Sequence, residues 1–151
     1  MVYPVCEVFL TDARLGPPAE TVPTETGAAV DFWGIVRGLE DGAEIAGIDY
    51  EAHRVMAEHQ LRVIAEEAVQ TFQLNQIIIC HRVGFVPVGE ASLLVRVGTG
   101  HRGTAFRAIK AVVDKLKQRA PIWKHPRFRA AKAVKVKEQA SQRKFVAPSQ
   151  R

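Results

Sequence analysis

Apolar and polar positions follow two different periods along this chain, and the switches between them mark the elements. Val5–Leu10, apolar except for Glu7, reads as a first short strand. Thr11–Gly27 holds Gly16-Pro17-Pro18 and Pro23 and reads as a loop, because prolines cannot donate to a strand ladder. Ala28–Val36 is strand-like again. Asp41-Gly42 suits a tight turn, so Ile45–Ala52 is expected to return beside Ala28–Val36 as a hairpin. After His53 the period lengthens. Ala57, Leu61, Ile64, Ala65, Ala68 and Phe72 recur at helical spacing, while Glu58, Arg62, Glu66 and Glu67 occupy the other positions. Gln76–Val83 and Ala91–Val97 predict two more strands, joined as a second hairpin through Pro87-Val88-Gly89. Ala105, Phe106, Ile109, Val112, Val113 and Leu116 predict a helix from Thr104, as its N-cap, to Arg119, with Pro121 as its stop. Hairpins set between helices indicate an α+β fold rather than a doubly wound parallel sheet. Beyond Arg127 the periodicity weakens, and only Ala130–Val134 suggests a further short helix.

Composition narrows the class. A chain of 151 residues, 47% hydrophobic and 25% charged, fits one globular domain. No run approaches the ~20 apolar residues of a membrane span, and Met1–Phe9 lacks the pattern of a signal peptide, so the cytosol is expected. Cys6 and Cys80 cannot form a disulfide framework or a four-cysteine metal site, and both read as small hydrophobes in strands. Charge is uneven: Lys117–Arg151 carries 11 Lys and Arg against Glu138 alone, on an otherwise acidic body. An anionic partner or substrate is one explanation, and a solvated tail is the other.

Three constellations carry possible chemistry. Gly98-Thr99-Gly100-His101-Arg102-Gly103 follows a strand and opens a helix. It matches a dinucleotide fingerprint in spelling, but Gln118–Lys124 supplies neither the second strand nor the acidic residue that such a site needs. A phosphate at the helix N-terminus, held by His101 and Arg102, remains open beside a purely structural turn. Lys117–Lys124 ends that helix in Pro121-Ile122-Trp123-Lys124. Cations there complement the helix dipole, and a lysine beside an aromatic wall is also suited to reactive chemistry. Asp49, Glu51 and His53 share one strand face, which reads as a solvated polar face before it reads as a metal site.

These stretches resemble one known family. Gly27-Ala28-Ala29-Val30-Asp31-Phe32-Trp33-Gly34-Ile35-Val36-Arg37 is similar to its G-A-x-x-x-F-x-G-x-V-R. Tyr50-Glu51-Ala52, His81-Arg82-Val83-Gly84, Val88-Gly89-Glu90, His101-Arg102 with Ala105-Phe106, and Lys117–Lys124 follow in order. The family is the large subunit of molybdopterin synthase, and the resemblance covers residues 4–124, leaving 125–151 as a divergent basic tail. It implies an α/β hammerhead-type domain with an added antiparallel β subdomain, assembled as a homodimer within a heterotetramer. The implied partner is a small ubiquitin-like sulfur-carrier subunit, whose thiocarboxylated C-terminus converts cyclic pyranopterin monophosphate to molybdopterin. By motif position Lys117 and Lys124 are the catalytic lysines. Arg37, His101 and Arg102 hold the substrate phosphate, with His101 and Arg102 reaching across the dimer, and Ile35 and Val36 line the substrate site. The resemblance brings in no metal and no cofactor.

The chain departs from that pattern after Lys124. His125-Pro126 stands where another basic residue and a glutamate are usual, no tryptophan follows Trp123, and His53 replaces an aromatic residue. The departures define a second reading, a paralogue that binds the small subunit without sulfur transfer. Nucleic-acid binding by Arg127–Phe145 is disfavoured, since Phe128 and Phe145 are its only aromatics for stacking.

Overall fold

The computed structural model describes residues 3–129, which form eight strands and two helices. The suggested helix at Ala130–Val134 lies outside the described residues. The α+β class holds, and it is built from two sheets.

The first sheet runs in the order β1 (Val5–Thr11), β5 (Gln76–Arg82), β7 (Ala91–Thr99), β2 (Ala28–Ile35). Only the β1–β5 pair is parallel. Helix α1 (Arg54–Phe72) packs over β1 and β5, and α2 (Arg102–Arg119) packs over β7 and β2. Their apolar stripes meet alternate residues of the sheet, so Leu61, Ile64, Ile77, Ile79, Val95, Val97 and Val112 are fully enclosed. Each such side chain contributes about 1.5–3 kcal/mol through loss of apolar surface to water. On β2 and β7 Asp31 takes two bonds from Arg96, at 2.6 and 2.8 Å, and Arg96 also donates to the Ala19 carbonyl. That fork ties the proline-rich loop to the sheet.

The second sheet is centred on β4 (Ala43–Ala52). Residues Gly47–Tyr50 pair with both β6 (Gly84–Pro87) and β8 (Ile122–Phe128), while Ala43 and Glu44 pair with β3 (Leu39–Glu40). Val36, Ile45, Ile48, Tyr50 and Val86 form its own small core, with Ile122 against it. The chain leaves the first sheet after β5, contributes β6 to the second, and returns as β7. Gly84 opens β6 and Gly89 follows it, with φ of +84° and +87°, a conformation that costs glycine little.

Several expectations change. Ala28–Val36 and Ile45–Ala52 are not a hairpin, because β2 pairs with β7 while β4 lies in the other sheet. The Asp41-Gly42 turn does exist, both residues having positive φ, but it joins β4 to the short β3. Helix α2 starts two residues before Thr104. His101 is its N-cap without a side-chain bond, and the Ala105 N–H already closes the first turn on the His101 carbonyl. Pro121 follows the stop at Arg119 as expected. Strand β8 was not expected at all.

Candidate functional site: a cationic cleft between the two sheets

Where α2 ends, the two sheets leave a cleft of about 770 Å³. Its walls come from the end of β2, from β4, β5 and β7, from the last turn of α2, and from β8. Arg37, Lys117 and Lys124 all line it, although they come from three separate parts of the chain. Ile35, half-exposed at the end of β2, lines it too. Val36 does not: its side chain is 3% exposed and belongs to the core of the second sheet. Val36 lies just past the end of β2, whose register with β7 shifts between Gly34 and Ile35.

The helix itself selects Lys117 for the cleft. Lys115 and Arg119 both bond Glu67 of α1, at 3.5 and 2.8 Å. Residues four apart share a helix face, and Lys117 sits about 200° around the axis from Lys115. Three cations in one turn are thus sorted, two onto α1 and one into the cleft. Lys124 is set by strand pairing, directly opposite Tyr50 on β8. Pro126 stands two residues on and opposite Ile48, so it shares the face of Lys124. The place where the resemblance expects a glutamate is therefore apolar, and among the described residues none that lines the cleft is a carboxylate.

His101 and Arg102 lie elsewhere. Both are exposed at the N-terminus of α2, about 22 Å along the helix from Lys117. The nearby glycines have a packing reason: a Cβ on Gly98 would sit 3.2 Å from Thr26 Cγ2, and one on Gly27 would overlap the Gly100 carbonyl. Asp49 and Glu51, considered for a metal, instead face β8. Asp49 pairs with Arg127, and Glu51 lies 2.9 Å from His125 Nε2. His53 Nδ1 accepts the Met56 N–H and caps α1. Burial pushes both Cys6 and Cys80 thiols up, as suits small hydrophobes rather than nucleophiles.

Sequence reasoning gave the neutral groups of the cleft no role, although four of them, Phe32, Trp33, Tyr50 and His81, stand in the motifs quoted above. Phe32, Trp33, Tyr50, His81 and Ser92 line it beside the cations. The Ser92 hydroxyl donates to the Gly34 carbonyl at 3.4 Å, and burial pushes the Tyr50 hydroxyl up, against the opposing effect of the nearby Ser92 hydroxyl. Burial and then the charge of Lys124 depress His81, against the opposing effect of the Arg82 carbonyl. Their place in strands gives no sign of a shared site, and only the joining of two sheets assembles them.

Fold and cleft together define a class: a two-sheet α+β subunit with an aromatic, cation-lined cleft suited to an anionic substrate. The sequence pattern of the family described as MoaE protein matches residues 12–119, and the chain belongs to that family. It is similar to a protein named molybdopterin synthase catalytic subunit from Thermoplasma volcanium, 38% identical over 100 residues, covering 66% of this chain and 73% of that one. The human protein of the same name is 37% identical over 98 residues, covering 65% of this chain. The chain spans only 52% of the length of that human relative. Among solved structures, molybdopterin synthase from Staphylococcus aureus superposes with a TM-score of 0.69 at 31% identity, covering 72% of this chain and 80% of that one. A complex of subunits 1 and 2 of molybdopterin-converting factor from Helicobacter pylori gives 0.58 at 25% identity, covering 68% of this chain and 66% of that one.

Proposed function

We propose that this chain is the catalytic subunit of a molybdopterin synthase, a sulfurtransferase that acts in the cytoplasm on cyclic pyranopterin monophosphate. Sulfur comes from the thiocarboxylated C-terminus of a small ubiquitin-like subunit. The observation that carries the reading is the convergence of Arg37, Lys117 and Lys124 on one cleft, with no carboxylate in its lining among the described residues. The thiocarboxylate, the substrate phosphate and the charge that develops as sulfur adds to carbon are all anionic. Fixed cations aimed at such charge, in a site partly shielded from water, stabilise it more than water does. The aromatic wall of Phe32, Trp33 and Tyr50 gives a planar pterin a surface to lie against.

Arg37 holds the substrate phosphate from within the chain, while His101 and Arg102 serve the cleft of a second copy. The length of α2 supports that division, because the two ends of one helix cannot reach a single small ligand. The working assembly is a homodimer flanked by two small subunits. Membrane attachment plays no part in this reading, and among the described residues no helix is long and apolar enough to cross a membrane. The test is product formation from thiocarboxylated small subunit and cyclic pyranopterin monophosphate. Molybdopterin should form with this chain, and its absence while the small subunit still binds overturns the reading.

A further inference from the structure

His81 lies near the end of β5, just before the chain crosses to the second sheet. Its ring meets Tyr50 edge-on, with centroids 5.2 Å apart and planes at 68°. Its Nδ1 lies 2.8 Å from the Arg82 carbonyl oxygen. A carbonyl can only accept, so Nδ1 carries the hydrogen and the lone pair of the neutral ring resides on Nε2. Among the described residues the sealed-off, unpaired side-chain atoms belong to Thr26, Gln60, Gln76 and Arg82. Nε2 of His81 is not one of them and has no partner among the described residues, and the ring lines the cleft.

The groups around it leave one role vacant. Lys124 on β8, Lys117 on α2 and Arg37 beyond β2 can only donate while charged. Burial raises the Tyr50 hydroxyl on β4 further from the neutral range, so it stays protonated. Arg82 is paired with Glu90 at 3.1 Å. Burial and the charge of Lys124 keep the His81 ring neutral at pH 7.

We propose that His81 Nε2 is the proton acceptor of the cleft, taking a proton from the water that releases the sulfur carrier. This rests on the functional reading above. Once the thiocarboxylate sulfur has bonded to a pterin carbon, the terminal carbonyl of the carrier is held as a thioester. The water oxygen bonds to the acyl carbon, the carbon–sulfur bond of the acyl group breaks, and its electron pair stays on sulfur as a pterin thiolate. One water proton moves to Nε2. The other leaves the new carboxylic acid for solvent, so the carrier departs as a carboxylate and nothing is oxidised or reduced. Lys117 and Lys124 stabilise the oxyanion of this step, a role that needs their charge and excludes them as its base.

His81→Asn tests the proposal, because the amide keeps an N–H for the Arg82 carbonyl and removes Nε2. With the full chain, thiocarboxylated carrier and cyclic pyranopterin monophosphate, the single-turnover rate of carrier release is expected to fall about 10²- to 10⁴-fold. The acid limb of its pH profile should vanish, carrier binding should stay unchanged, and intact-mass analysis should show the thioester-linked species accumulating. An unchanged rate overturns the proposal. So does a reduced rate that keeps the wild-type acid limb, which would make His81 a positioning residue. Ring ¹⁵N NMR of the wild-type chain should show the Nδ1–H tautomer, with a pKa below the ordinary value of about 6.5. An Nε2–H tautomer overturns the proposal and leaves the functional reading intact. A wild-type chain with the expected tautomer and no turnover removes that reading, and the proposal with it.

Discussion

The two ends of α2 carry similar chemistry in different surroundings. At the N-terminus His101 and Arg102 stand in open solvent beside a glycine-rich turn. At the C-terminus Lys117 faces a walled cleft with Arg37, Lys124 and a set of aromatic rings. Charge and helix polarity are local properties, and both ends have them. Concavity is not local, because it needs β8 to fold back onto β4 and β6 to leave the first sheet. One end of the helix therefore opens on a walled cleft, and the other on an exposed surface.

Lys117→Ala should separate the two ends most sharply. Turnover is expected to disappear while stability changes by no more than about 0.5 kcal/mol, since the side chain is exposed. Product assays and denaturant titration check the two halves of that statement, and normal turnover would remove the lysine from the chemistry. Arg102→Ala should weaken substrate binding about 10- to 100-fold, the worth of a charge-assisted hydrogen bond, and leave small-subunit affinity unchanged in calorimetry. Equal loss of both would make the N-terminal end structural. Refolding Lys117→Ala together with Arg102→Ala should recover about a quarter of wild-type activity, because half of the random dimers contain one site with both groups intact. No recovery would confine each site to one chain.

Gly47→Ala tests whether the second sheet makes the difference between the ends. A Cβ there would lie 2.4 Å from the Val86 carbonyl oxygen and 2.6 Å from the Phe85 ring. It should destabilise the chain by about 1–3 kcal/mol in denaturant titration and reduce activity further than that loss explains. The smallest effect belongs to Glu67. The bond from Arg119 depresses its carboxyl below the ordinary 4.5, so its stabilising contribution is complete above that pH and lost as pH falls through the depressed value. The melting temperatures of wild type and Glu67→Gln should differ slightly at neutral pH and converge in acid.

The helices were legible because their apolar residues keep one period for several turns, and β5 and β7 because they are buried on both faces. Strand β8 was hidden by its own composition: Trp123-Lys124-His125-Pro126-Arg127 has few residues that prefer strands and a proline that cannot donate. The misplaced hairpin has a related cause. Asp41-Gly42 fixes a turn, but the choice of β7 over β4 as the partner of β2 is made across the whole sheet. Arg37, Lys117 and Lys124 were found as charges at motif positions. His81 was not, because its meaning comes from Tyr50, Arg82 and the lysines that the fold gathers around it.

The bond between Glu67 and the last turn of α2 also limits how the gene can change in length. One residue added or deleted between Ala105 and Leu116 would turn the helix end by about 100°. Lys115 and Arg119 would swing off α1, and Lys117 would leave the cleft. The loop from Thr11 to Gly27 is under no such angular constraint. Length variation among functional relatives should therefore collect in that loop and be absent from α2, whichever residues occupy its surface.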